Sequence, residues 1–110
     1  LPMLIQTRTI TVQKGFADQV IERFSAESPV DSMEGLVDRT VMVNRKKQEH
    51  DEVMVMIRWE SEEAWKNWEK SDAHIQGHRE NRGKPAPEYV ISTVVNMYEV
   101  KTIKNGKGQA

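Results

Sequence analysis

A chain of 110 residues, 37% hydrophobic and 30% charged, is long enough for one domain with a buried core and too polar in its patterning for a membrane span. A formal net charge of −1 excludes an electrostatic nucleic-acid binder, which needs a clustered excess of Lys and Arg. The absence of cysteine removes disulfides, thiolate metal sites and cysteine nucleophiles together, and with no basic-plus-apolar leader the expected home is the reducing cytoplasm.

Leu1-Pro2 precedes the first patterned segment and carries no structural weight. Met3–Val12 alternates and is rich in β-branched residues, which predicts a strand with Leu4, Arg8, Ile10 and Val12 on one parity. Lys14-Gly15 turns the chain into FADQVIERF, where Phe16, Val20 and Phe24 recur at i, i+4, i+8 as one helical stripe. SPVDS supplies turn residues, and Gly35 opens a second strand over Leu36–Asn44. The solvated connection NRKKQEHD leads to a third strand, DEVMVMIRWES, with Val53, Val55, Ile57 and Trp59 on one face and Met54, Met56 and Arg58 on the other. Ser61 is placed to cap a helix whose first turn carries Glu62 and Glu63. RGKPAPE reads as a loop, and Tyr89–Val100 as the last strand.

The order β-α-β-β-α-β predicts an α+β, ferredoxin-like sandwich with both helices on one face of an antiparallel sheet. The domain is expected over residues 3–102, with a flexible tail over 103–110. Met54, Met56 and the two-sided apolar pattern of the last strand require a cover for the second sheet face. A second copy packed sheet on sheet, a homodimer, supplies it.

The candidate site lies in KNWEKSDAHIQGH, Lys66–His78. On an ideal helix Trp68, Ile75 and His78 share a face, although Trp68 and His78 stand about 15 Å apart along a straight axis. Ser71 and Asp72 are poor helix-interior residues and good caps, which predicts a break that folds the two arms around one sizeable ligand. Blander readings stand beside this one. Trp65 and Trp68 at i, i+3 suit a core, and His74 and His78 at i, i+4 suit either solvent or a metal. His50 reads as surface. There is no HExxH, glycine-rich phosphate loop or GxSxG elbow. Composition and periodicity therefore reach a dimeric ferredoxin-like domain with a histidine-centred pocket.

WEKSDAHIQGH, with a histidine ten residues after the tryptophan, resembles the heme-degrading monooxygenases of the iron-regulated surface determinant type, within the antibiotic biosynthesis monooxygenase superfamily. TITVQKG, VIERF, DSMEGL and DEVMVMIRWES extend the likeness over most of the chain, and their order and spacing make it more specific than any one of them. The resemblance implies a ferredoxin-like fold that dimerises through its sheets (a dimeric α/β barrel). It also implies one heme per subunit as cofactor and substrate, and an external reductase as electron donor. Carried over by position, His78 is the axial ligand of the heme iron and Trp68 presses on the porphyrin; Ile75, on the same ideal helix face, is the further candidate for the cofactor wall. The family's first-strand asparagine does not carry over: Arg8 holds its place and becomes the candidate catalytic group there, facing either bound oxygen or a propionate. Two other readings share the fold, a non-catalytic heme-binding or sensing protein and a cofactor-free oxygenase of aromatic or quinone-forming substrates.

Overall fold

The computed structural model describes residues 2–109. Leu1 and Ala110, and with them one end of the expected tail, lie outside the described residues. The elements are β1 (Leu4–Gln13), α1 (Ala17–Ser25), a 3-10 turn (Pro29–Ser32), β2 (Leu36–Asn44), β3 (His50–Trp59), α2 (Glu62–Glu69), α3 (Asp72–Asn81) and β4 (Val90–Glu99). Their strands form a four-stranded antiparallel sheet in the order β2-β3-β1-β4, the ferredoxin-like arrangement in which β1 is central and β2 and β4 are edges.

The pairing register decides what each face carries, because residues directly opposite on neighbouring strands point the same way. Leu4 pairs with Trp59, Arg8 with Val55 and Ile10 with Val53, so the even positions of β1 share the helical face with the apolar parity of β3. The core on that face is not continuous. One cluster, Ile10, Val12, Ala17, Val20 and Val53, lies under α1. The other, Val30, Trp59 and Ala64, lies under the 3-10 turn and α2 at the opposite end of the strands. Between them the helical face carries Gln6, Arg8 and Val55, and this gap becomes the floor of a cleft.

Two local constraints hold the ends of that face. Gly35 sits at φ +88° against the start of α2, where an added Cβ would lie 2.5 Å from the Ala64 Cβ, so no larger residue fits without displacing the helix. At the other end Asp51, 1% exposed, has the Lys14 ammonium 2.9 Å from Oδ1 and accepts the Gly15 N–H at 3.0 Å through Oδ2. Lys14 also donates to the carbonyls of Arg45 and Lys47 at 2.6 and 2.7 Å, tying the β2–β3 turn to the β1–α1 turn. The Lys14 ammonium first, and the Gly15 N–H second, hold the Asp51 carboxyl below the usual carboxylate range. A carboxyl depressed in the folded state contributes stability above its unfolded pKa of ~3.9 and loses it as pH falls through the folded value. Asp51→Asn is therefore expected to lower the melting temperature near neutrality and to flatten the acid limb of the stability–pH curve. Thermal melts across the acid range check this; an unchanged acid limb would remove Asp51 from it.

Among the described residues no helix lies on the other sheet face. Its residues include Ile5, Met42, Met54, Met56, Val94 and Tyr98, with Val94 and Tyr98 more than half exposed at 52% and 53%. The pairing of Val94 with Thr9 and of Val95 with Arg8 settles the two-sided pattern of the last strand. Val94 and Tyr98 face away from the helices, whereas Val95 and Met97 lie on the helical side, opposite Arg8 and Gln6.

Candidate functional site

The helical segment breaks where the capping residues predict. Ser61 caps α2 by accepting the Ala64 N–H at 3.2 Å. Lys70 closes it, and Ser71, in an extended conformation, caps α3 by accepting the His74 N–H at 3.2 Å. The Ser71 hydroxyl also donates to the Trp68 carbonyl at 2.7 Å, so one side chain finishes α2 and starts α3. The break lays α3 across the gap between the two core clusters and roofs a cleft of about 740 Å³, within the range of small-molecule sites.

Trp68, from the last turn of α2, is half-buried: it packs on the cluster of Val30 and Trp59 and presents its remaining surface to the cleft. The indole therefore belongs to both the core and the cleft wall. His78 stands on the same wall, exposed, one turn beyond His74 on α3. His74 is not a solvent residue: its side chain is 18% exposed, its ring meets Trp68 edge-on at 4.9 Å and His78 at 4.4 Å, and its Nε2 lies 2.7 Å from Glu69 Oε2 and 3.0 Å from His78 Nε2. Ile75 is corrected. It is 40% exposed and does not line the cleft, because a phase counted along one continuous helix does not survive the break at Ser71. Ala73, His74 and Gly77 face the cleft in its stead.

Arg8 lies on the floor, half-buried, and pairs with no carboxylate among the described residues. Burial first, and the nearby Arg23 second, lower its pKa. A guanidinium remains charged under such a shift, so this floor is a cationic spot lacking an anion. Sequence reasoning missed Arg39. From β2 it donates to Asp31 through two nitrogens at 2.9 Å each, to the Ala26 carbonyl at 2.9 Å, and to the Phe24 carbonyl, so it fastens the end of α1 and the 3-10 turn as the wall facing α3. Arg39 pulls Asp31 below the usual carboxylate range. A signal existed: Arg39 shares its strand parity with Val41 and Val43, an inward position at which an arginine needs a buried partner.

The geometry is that of a ligand cleft in an antiparallel α+β domain, with one imidazole exposed on an aromatic wall and one unpaired cation on the floor. The antibiotic biosynthesis monooxygenase family model matches residues 3–80, and the chain belongs to that family. Over 104 residues it is 58% identical to the heme-degrading monooxygenase HmoA of Bacillus subtilis, covering 94% of this chain and 96% of that protein. It is 34% identical to a heme-degrading monooxygenase of Halalkalibacterium halodurans, over 93% of this chain and 85% of the relative. Among solved structures, a Bacillus cereus protein assigned as an antibiotic biosynthesis monooxygenase superposes with a TM-score of 0.83 at 40% identity, covering 96% of this chain and all (100%) of that one.

Proposed function

We propose that this protein is a heme-degrading monooxygenase that opens the heme ring with dioxygen and an external electron donor and releases the iron. The observation that carries the reading is the convergence of His78, Trp68 and the unpaired Arg8 on one cleft. The residues fit a heme: a neutral imidazole suits its iron, apolar Val30, Val55 and Ile57 suit its ring, and a guanidinium without a partner suits a propionate. Bound heme supplies both the iron centre and the macrocycle that is opened. His78 would hold the iron, and Trp68 would offer a broad rigid face to the ring. Arg8 anchors a carboxylate on the floor, while Arg39 keeps the opposite wall in place. We place the activity in the cytoplasm, beside the reductase that supplies electrons.

Hemin added to the purified protein should produce a histidine-ligated Soret band at one equivalent per subunit, and a reductant in air should bleach it while a chelator captures iron. A band that forms and survives the reductant would favour a heme-holding protein, the reading to which Arg8 in place of an asparagine lends support. Failure to form the band would favour a cofactor-free oxygenase.

Trp68→Ala is expected to bind hemin and degrade it roughly tenfold more slowly, the low end of the ~1–5 kcal/mol that enforced distortion of a substrate supplies. Trp68→Phe should be milder, because an aromatic wall remains. Trp68 also packs on the core, so melts of both variants must separate turnover from stability. Equal turnover in all three proteins would remove the indole from the reaction.

The uncovered sheet face supports a homodimer packed sheet on sheet. Sedimentation at low micromolar concentration should give a two-chain species, and a charge placed at Val94 should convert it to monomer. A monomeric parent protein would require another cover for that face.

A further inference from the structure

Gly77 stands in the middle of α3, sixth of its ten residues, where glycine is among the poorest helix formers. The backbone does not require it, since positive φ among the described glycines is confined to Gly15, Gly35 and Gly83. Packing does not require it either. A Cβ added at Gly77 would meet nothing within 4 Å outside its own stretch of helix, whereas one added at Gly35 would lie 2.5 Å from the Ala64 Cβ. No residue of α3 is buried, so this helix depends on its Ser71 cap and its own propensity more than on a core. A glycine at its centre therefore weakens the free protein without an intramolecular reason.

The open space beside it belongs to the cleft. Residues three and four positions apart share a helix face, and those flanking Gly77 at that spacing (Ala73, His74, Glu80 and Asn81) all line the cleft, as Gly77 itself does. Gly77 is thus the centre of the inward face of α3, directly before His78. The Asn81 side-chain amide donates to the Gly77 carbonyl at 3.0 Å, which braces this turn rather than leaving it a hinge. We propose that Gly77 is the clearance residue of the cleft: bare backbone there lets a broad, flat macrocycle lie close against α3 beside His78, and any side chain holds it off. A rigid plane gains most from such clearance, because a single projecting methyl displaces the whole of it, whereas a compact ligand can shift aside. The inference rests on the heme reading above and deepens it, by naming what selects a flat ligand.

Thermal melts of the free protein and hemin titrations followed at the Soret band, on wild type, Gly77→Ala and Gly77→Leu, test this. Gly77→Ala is expected to raise the melting temperature by about 4 °C, because alanine is the better helix former and nothing stands in its way. The same variant should bind hemin about tenfold more weakly, as when an extra carbon is forced into a packed contact. A structural defect cannot move stability up and affinity down together. Gly77→Leu should also melt above wild type and lose far more affinity than Gly77→Ala. That order separates clearance from stiffening of α3: alanine is the stronger helix former, so stiffening alone would make its loss at least as large as that of leucine. Hemin affinity unchanged in both variants, equal losses in the two, or a free Gly77→Ala protein that melts below wild type overturns the proposal. A wild-type protein that takes up no hemin overturns the heme reading and this inference with it, whereas equal uptake by all three proteins overturns this inference alone.

Discussion

His78→Ala is expected to abolish axial coordination of hemin and, with it, degradation. Affinity should fall by more than the ~10–100-fold that follows loss of a residue merely supporting a ligand, because here the ligand bond itself is removed. His74→Ala should retain coordination at somewhat lower affinity. The asymmetry follows from how the two rings are engaged. The His74 side chain is 18% exposed, with its Nε2 close to both Glu69 and His78, whereas the His78 side chain is exposed at the cleft. Because His78 is exposed, its removal should change folding stability within the ~0.5 kcal/mol usual for surface substitutions, and melts of the free protein establish that control. Absorption spectra of the hemin complexes decide the assignment. Coordination that survives in His78→Ala and vanishes in His74→Ala would exchange the roles of the pair.

The elements most legible in the sequence were those whose signal is local. Alternation in β1 and β3, the caps at Ser61 and Ser71, and the glycine before β2 each report a property of a few neighbouring residues, and each stands where the pattern places it. The helix break was legible for the same reason, since a serine followed by an aspartate competes with the helix backbone on its own. What the break does to the site was not. Helical phase restarts at Ser71, so Trp68 and Ile75 do not share a face, and the residues that converge are decided by the angle between two short helices. Glu69 and His74 meet only across that junction, which made an apparently solvent-facing histidine part of the wall. Arg39 escaped for a related reason: its partners lie 8 to 15 residues earlier, in a turn whose path is set by the sheet beneath it. The resemblance through WEKSDAHIQGH pointed to His78 and Trp68 without needing that geometry, whereas their neighbours in the cleft could be reached only through it.

Arg8→Ala is expected to weaken hemin binding by about 10- to 150-fold, the equivalent of the ~1.5–3 kcal/mol carried by a hydrogen bond to a charged partner. Arg8 is half-buried on the sheet floor between Val55 and Val95, with Arg23 near it and no carboxylate paired to it among the described residues. Burial of a cation without an anion is unfavourable, and a propionate removes that penalty on binding. The loss in Arg8→Ala should therefore be largest at low salt, because part of the attraction acts through solvent that salt screens over ~8 Å at physiological ionic strength. Arg8→Lys should recover part of it, as a point charge without the two-pronged fork. Arg8→Asn separates anchoring from chemistry. If the guanidinium serves only as an anchor, this variant binds as weakly as Arg8→Ala but degrades what it binds at least as fast as wild type, since asparagine is the residue the family pattern carries there. Affinity unchanged and rate reduced in Arg8→Ala would instead put the guanidinium at the reacting centre. Affinity and rate both equal to wild type would leave the cation on the floor without a role in this site.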